Sequence, residues 1–513
     1  MNALYADVAV LGTGVVGLAT AHRLLADGHA VTLIGPRPPA AAGQASGAAG
    51  AMLSIVSEVD AGQSAARVEL EVEQRARAAA RYPAWLESLA ASSGTAVPVA
   101  TGTWVVAGHT ESESLAAIAA AATQIGHAAE QHDAVDGMRP DTRAAGALWL
   151  PTEASLDITR LLTALAAAAS AHRLSRWCDT TATHLDTGAP AVRIRCADGT
   201  RIDAGRVVLA AGAGIPALLG ASGGDLCVPR LLAGRGVSLL VGSTLPVPHT
   251  VRTPNSGFAC GTHLVPRGGG THYLGATNRL SLDPDPATAA TARLGEIGAL
   301  VRDAARVLDR RLGAAALHRH QVGYRPYTVD HLPLVGPTAD PRILLATATY
   351  RCGVLLAPLM ADLLADELAE PGALDLHPYR ATRPIPMPPL REVLTHRTAR
   401  DLADHLTGGP VLGAGDHDRL VTLLTTTLPA LLDREDAAAT ALNRLYNQAP
   451  VPEVLPALLD LATRREPTAC PRTPSAIPSP RTYSALPASS ATRSCTQAPR
   501  CATPASTPST ASH

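Results

Sequence analysis

Val8-Ala9-Val10-Leu11-Gly12-Thr13-Gly14-Val15-Val16-Gly17-Leu18 is the stretch that decides the fold. Four apolar residues make a short buried strand, and Gly12, Gly14 and Gly17 follow at G-x-G-x-x-G spacing. A helical pattern then runs through Leu18, His22, Leu24 and Leu25. Strand, glycine turn and helix in that order are the context a dinucleotide-binding turn requires. Gly12 permits the tight turn, Gly14 lets the backbone approach a pyrophosphate, and Gly17 lets helix and strand sit close together. The helix N-terminus supplies free N–H groups and a positive dipole end for phosphates. The plainer alternative is a strand-to-helix turn that binds nothing.

Outward from this turn, a second strand, Ala30-Val31-Thr32-Leu33-Ile34, follows the Asp27-Gly28 turn. An acidic residue is expected at its end to hold a ribose, but Gly35 stands there, before Pro36-Arg37. Backbone groups or Arg37 must then serve the ribose, and a 2′-phosphate at Arg37 keeps an NAD(P)-dependent dehydrogenase open. The segment Gly43 to Leu53 is small at nearly every position, as a large flat group lying on backbone requires. One long amphipathic helix is expected over about 65–91, with Glu69, Glu71, Glu73, Arg75 and Arg77 on its wet face. Helices are also expected over 114–125, 158–169 and 287–308. Alternating strands at 191–195 and 201–208 lead into Val207-Val208-Leu209-Ala210-Ala211-Gly212, a buried strand ending in small residues. The pattern predicts an α/β fold: a Rossmann-like doubly wound domain with an α+β, antiparallel-sheet second domain.

Composition narrows the function classes. A chain of 513 residues with 46% hydrophobic and 17% charged residues can bury a large core, so a globular class is expected. A net charge of -1 excludes a general nucleic-acid binder. Every basic residue is Arg, so Schiff-base lysines, P-loop lysines and lysine general bases are excluded. None of the eight Cys forms a C-x-x-C pair, which suits free thiols in a reducing cytosol. No charged n-region precedes an apolar h-region, and no apolar run approaches the ~20 residues needed to span a bilayer. The expectation is a cytoplasmic protein without nucleic-acid or membrane partners.

Beyond Arg383, Pro384, Pro386, Pro388 and Pro389 form a linker. Residues 391–465 carry helical patterns such as Leu420, Leu423, Leu424 and Leu428, and read as a helical extension. From 467 to 513 the chain is Pro, Ser, Thr, Ala and Arg without an acidic residue, the composition of a disordered tail.

The block Gly323-Tyr324-Arg325-Pro326-Tyr327-Thr328-Val329-Asp330-His331-Leu332-Pro333-Leu334-Val335-Gly336-Pro337 is the most specific. Ala346-Thr347-Ala348-Thr349-Tyr350-Arg351-Cys352-Gly353-Val354-Leu355-Leu356-Ala357-Pro358 follows. With the N-terminal turn, the 45–53 segment and Ala210-Ala211-Gly212, these resemble the D-amino acid oxidase superfamily of flavoproteins, nearest to glycine oxidase. The resemblance covers residues 1–383. It implies cofactor-binding parts at about 1–85, 147–220 and 318–383, and substrate-domain parts at about 86–146 and 221–317.

The resemblance also implies roles. Arg325 matches the arginine whose fork grips a substrate carboxylate, Arg351 a second arginine at the flavin–substrate boundary, and His263 stands where the family often has a carboxylate-binding Tyr. Thr349, Tyr350, Arg351, Cys352, Gly353, Val354 and Leu355 match the turn that hydrogen-bonds the flavin ring. Val15, Val16, Ala45, Ser46, Ala49, Gly50, Ala51 and Ala182 match FAD contacts, which Gly12, Gly14, Gly17, Gly35, Ala211 and Gly212 join. Ala348-Thr349 replaces the family's Gly-His, and Asn278 occupies a further substrate-side position. The implied cofactor is non-covalent FAD, because Cys352 fills space more readily than it forms a thioether.

The implied activity is oxidative deamination of a small amino acid or N-alkyl amine, giving a 2-oxo acid, ammonia or amine, and hydrogen peroxide, with O2 as acceptor. No residue is assigned as catalytic, because the cofactor carries the hard chemistry. A homo-oligomer is compatible with the resemblance. Open alternatives are a dehydrogenase form, and a flavin-fold protein that lacks turnover or acts on a protein-tethered substrate. Three bland readings complete the set. Arg325 pairs with Asp330 as a structural arginine. Gly220-Ala221-Ser222-Gly223-Gly224 mimics a hydrolase elbow but follows a helix. His318 and His320 lack a carboxylate or Cys cluster, so no metal is expected.

Overall fold

The first strand, Leu4–Leu11, sends its side chains to both faces of a sheet, and both faces are buried. Val8 and Val10 join one apolar core, while Ala9 and Leu11 join another on the opposite face. Continuous apolar runs of this kind belong to parallel strands covered on both sides. In this computed structural model, residues 4–457 are described apart from 39–41, 109–110, 142–144, 224–225, 244, 246–247, 283, 285–290, 408–413 and 434–436.

Leu4–Leu11 pairs in parallel with Val31–Ile34 on one side and Arg201–Leu209 on the other, with Leu11 opposite both Ile34 and Leu209. Ser175–Cys178 extends one edge, and Ile343–Thr347 and Leu334–Pro337 extend the other, within an eight-stranded sheet. Helices Val15–Ala26, Ile158–Ala171 and Gly353–Ala369 cover one face, and Ile215–Ser222 contributes to the other. The Asp157 carboxylate starts Ile158–Ala171 by accepting from the Thr159 and Arg160 amides, satisfying donors that a helix start leaves unpaired.

The second sheet has eleven strands and is mainly antiparallel. Its longest pairing is that of Leu232–Gly242 with Ala316–Tyr327, near one end of the sheet, which places Gly236 opposite Gly323 and Gly234 opposite Arg325. Helix Leu294–Val307 lies over it through Leu300 and Ala304, against Val237, Leu239 and Val241. The strand Gly146–Leu156 and most of Ala316–Tyr327 belong to this sheet, although 147–220 and 318–383 were expected to serve the cofactor domain. The α/β class and the two-sheet architecture are as expected.

Local differences have plain causes. The long helix expected over 65–91 is two helices, Ala65–Ala79 and Tyr82–Ser93, and Pro83 sits in the first turn of the second. Glu71 and Arg75 do not face water. They are buried and ion-paired at 2.5 Å, with Arg67 also on Glu71. The helix expected from 287 begins at Leu294; residues 285–290 lie outside the described residues.

Past the proline linker the helices are Leu390–Val393, His396–Thr407, Ala414–Leu432 and Ala437–Gln448. The described residues form one compact unit. The apolar faces of these helices, including Leu394, Leu402, Val421, Leu442 and Tyr446, share a core with Leu232 and Tyr327. Phe258, Val329 and Tyr350 border that core. The tail expected over 467–513 lies outside the described residues, as do Cys470, Cys495 and Cys501.

Candidate cofactor and substrate site

The glycine turn opens onto a cavity of about 420 Å³, within the range of small-molecule sites. Gly12 has φ +116°, and a Cβ there would stand 2.5 Å from the Ala210 carbonyl carbon, so only glycine fits. A Cβ on Gly14 would reach the Ser46 Oγ at 3.0 Å, and that hydroxyl accepts from the Val15 amide at 3.0 Å. Helix Val15–Ala26 has no cap from Gly14 at its N-cap position and no acid in its first turn, so beyond the Val15 amide its first N–H groups stay open. Helix Gly353–Ala369 starts in the same way, uncapped at Cys352. Two helix N-termini on one cavity leave N–H groups for an anionic or carbonyl-rich ligand.

Every residue that the resemblance assigns to cofactor or substrate lines this cavity except Gly17 and Asn278, and Asn278 reaches it only through Arg325 and Tyr350. Gly17 instead faces the Gly12 carbonyl carbon, which a Cβ would approach to 3.0 Å. It is the helix–strand packing glycine. Two buried hydroxyls on the cavity wall, Ser54 Oγ and Thr347 Oγ1, have no hydrogen-bond partner among the described residues. Glycine-lined backbone, free helix N-termini and unpartnered hydroxyls together fit a dinucleotide. Gly35 lines the cavity at φ +154°, where a Cβ would meet the Thr13 Oγ1 at 2.8 Å. Arg37 is turned away from its expected ribose or 2′-phosphate role. It stacks over Trp177 at 4.6 Å and donates to the Ser170 Oγ, and it is not among the lining residues.

At the other end stands Arg325. One terminal nitrogen donates to the Thr277 carbonyl at 2.9 Å and to the Asn278 Oδ1 at 3.2 Å. No carboxylate among the described residues pairs with it. Asp330 is engaged by Arg383 at 2.9 Å and by the Thr328 hydroxyl, so the Arg325–Asp330 pairing does not form. Asn278 also donates to the Tyr350 hydroxyl and the Phe258 carbonyl, each at 2.9 Å. The Tyr350 ring is therefore tied to the arginine through one amide.

Arg351 differs from Arg325. It faces Glu58 at 3.4 Å and Asp60 at 3.6 Å, and its guanidinium lies 4.9 Å over the Tyr350 ring. Burial alone would raise the Glu58 carboxyl, but Arg252, Arg351 and Arg75 hold it down at about 2. The fully buried Arg252 contacts Glu58 at 2.6 Å, Asn255 at 2.8 Å and the Cys260 carbonyl at 2.9 Å. Among the described cavity residues, Arg325 is thus the guanidinium without a carboxylate.

His263 is buried and stacks on Tyr273 at 5.5 Å. Its Nδ1 lies 3.1 Å from the Gly261 carbonyl. A carbonyl only accepts, so Nδ1 is the donor here and Nε2 is the ring's other nitrogen. A Cβ on Gly50 would stand 3.1 Å from that Nε2. Cys260, also on the cavity wall, would be raised by burial, but His263 and Arg325 bring its thiol down to about 6.

The sequence reading passed over Glu58, Arg252 and Cys260. The one signal for Glu58 is an acid set between Ser57 and Val59 just after the small-residue segment. The Ser222 hydroxyl donates to the Leu218 carbonyl and accepts from the Leu185 amide at a helix end, so no nucleophile is poised there. Among the described residues no helix is long and apolar enough to cross a membrane.

Comparison with known proteins fits this geometry. The family model described as FAD dependent oxidoreductase matches residues 7–367. The bifunctional protein ThiO/ThiG of a Nostoc species is 34% identical over 113 residues, 20% of this chain and 17% of that protein. Its Synechocystis counterpart is 28% identical over 230 residues, 40% of this chain and 34% of that protein. The chain thus spans about a third or less of the length of these curated relatives. Glycine oxidase from Geobacillus kaustophilus superposes with a TM-score of 0.64 at 24% identity, covering 75% of this chain and all of that one. Iminodiacetate oxidase from Chelativorans gives 0.60 at 19% identity, covering 74% of this chain and 100% of its own. At such identities the superpositions show the fold. The matched family model spans well over half of the sequence, and the chain belongs to the FAD dependent oxidoreductase family.

Proposed function

We propose that this family member oxidises a small amino acid or N-alkyl amine at its Cα–H, holding the substrate carboxylate on Arg325 and FAD non-covalently in the glycine-lined cavity. The observation that carries the reading is the Arg325 guanidinium, which lines the cavity without a carboxylate partner among the described residues. A planar guanidinium fork suits a carboxylate.

Gly12, Gly14 and the N-terminus of Val15–Ala26 are assigned to the pyrophosphate, and the turn from Thr349 to Leu355 to the ring. Bound FAD supplies a hydride acceptor. The chain's own share is orientation: Arg325 fixes one end of the substrate, and His263 lines the same cavity. Burial pushes the Cys352 thiol up, which disfavours a covalent thioether. With O2 as the acceptor, substrate, O2 and water would give a 2-oxo acid, ammonia or amine, and hydrogen peroxide.

The deciding experiment is spectroscopic. Purified protein should be yellow, release its flavin into the supernatant on acid precipitation, and bleach anaerobically with one of a panel of small amino acids and N-methyl amines. Readmitted air should restore the colour with stoichiometric peroxide. Bleaching that air fails to reverse would make the protein a dehydrogenase. No bleaching across the panel would overturn the small-substrate reading in favour of a tethered one.

A further inference from the structure

The helices beyond residue 390 lie outside the stretch that the family model matches, yet they meet the substrate end of the cavity by two routes. Arg397, on helix His396–Thr407, approaches the Asp60 Oδ1 at 3.3 Å and donates to the Ala61 carbonyl. Asp401, one turn on, holds the same guanidinium at 3.0 Å. Asp60 in turn faces Arg351 at 3.6 Å, and Arg351 lies over Tyr350. The second route starts at Glu453, 3.5 Å from the His331 Nε2. The His331 ring stacks on Tyr350, with centroids 4.9 Å apart.

Both routes end on one ring, and that ring is wired to the clamp. The Tyr350 hydroxyl accepts from Asn278, whose Oδ1 accepts from Arg325. Tyr350 itself is held at φ +47°, so its placement depends on its surroundings. Leu394, Leu402 and Tyr446 complete the support through the core they share with Tyr327.

We propose that the C-terminal helices are part of the substrate site, with Arg397 a positioning residue that acts through Asp60 and Arg351 on the Tyr350–Asn278–Arg325 chain. The proposal rests on the carboxylate-clamp reading of Arg325 and names what holds that clamp in place. Contiguous packed and hydrogen-bonded groups of this kind transmit modest energies between sites. Without Arg397, Asp60 keeps only Arg351 as its cationic partner among these residues, and the pair shifts together with the ring beneath it.

The test uses the full chain with its flavin and acetate as the probe, followed by the perturbation of flavin absorbance. Arg397→Gln should raise the acetate Kd, and the KM of whichever substrate bleaches the flavin, by roughly three- to thirty-fold. Flavin content should be unchanged and kcat should stay within about twofold, since the lost contact orients substrate in ground and transition states alike. Arg397→Lys should recover part of the loss, because it keeps the charge without the fork. Asp60→Asn should give a comparable shift, and the double variant should add little to either single one. Arg391→Gln, at an exposed ion pair with Asp433, should change nothing.

An unchanged acetate Kd in Arg397→Gln overturns the proposal, and so does a shift that adds in full to that of Asp60→Asn. If Arg397→Gln fails to fold, Arg397→Lys and Asp60→Asn decide it, and silence in both overturns it. Arg325→Ala in the same titration keeps the two readings apart. Retained acetate binding there sinks the clamp itself, whereas loss there with none in Arg397→Gln sinks the positioning role alone.

Discussion

Gly236 lies directly beneath the Arg325 guanidinium: a Cβ at Gly236 would stand 2.6 Å from the arginine Cζ. The neighbour that must yield is the far end of a flexible side chain rather than backbone. Gly236→Ala should therefore fold and keep its flavin while displacing the guanidinium. Acetate affinity should fall at least tenfold, an effect on the order of 1.4 kcal/mol or more. Flavin-absorbance titration beside a melting curve checks this, and an unchanged acetate Kd would count against Arg325 as the clamp.

Arg325→Ala removes the clamp outright. A buried charge-assisted pair of this type is worth on the order of 2–5 kcal/mol. The expected loss in kcat/KM is roughly 30- to several-thousand-fold, with flavin content preserved. Arg325→Lys should recover only part, since a point charge cannot reproduce a planar fork. Steady-state kinetics on the substrate found by anaerobic bleaching would measure both.

Gly12→Ala should act on the cofactor instead. The side chain would press on the backbone of Ala210 and Ala211, which cannot swing aside, at a residue with φ +116°. The expected outcome is protein with little or no flavin, read from the ratio of visible to ultraviolet absorbance. A yellow Gly12→Ala protein of normal stability would contradict the cradle.

A fourth expectation concerns pH. Burial pushes the Glu453 carboxyl up to about 7, with Asp401 and Asp60 adding to it and Arg351 opposing. His331, which faces it, is brought down by burial and Arg351 to about 4 and is neutral at pH 7. A carboxyl with a raised folded pKa contributes stability that is complete below its unfolded value. That contribution is lost as pH rises from about 4.5 through about 7. Glu58 runs the other way: its contribution is present above about 4.5 and is lost as pH falls toward 2. Melting temperatures of the unmodified protein and Glu453→Gln between pH 4.5 and 8 isolate the first effect. The variant should lose less stability across that range, and parallel curves would refute it.

The sequence was most legible where the physics is local. The Gly12–Gly17 turn needs only its own strand and helix, and nearly all the residues matched to cofactor contacts do meet on one cavity. Glu71 and Arg75 misled because residues at helical spacing look solvated until a neighbouring helix covers them as a buried pair. Asp330 is five residues from Arg325, but its partner is Arg383, reached only through tertiary folding. The apolar stripes after residue 390 announced helices and not their destination, since Tyr327 and Leu232 lie far away in sequence. Glu58 and Arg252 are isolated charges in the chain and become one ion pair only where the second sheet brings them together.

The order of strands in the first sheet also sets when the protein can exist as a folded body. Leu4–Leu11 needs Arg201–Leu209 beside it, and that strand needs Ile343–Thr347 on its far side. At ~5–20 residues per second, the first strand leaves the ribosome roughly 20 to 70 s before the last of these neighbours is made. Such distant pairings form late and slowly, because the intervening loop must close before they reward it. During synthesis the N-terminal apolar strand therefore keeps one edge unpaired until almost the whole oxidoreductase domain has emerged.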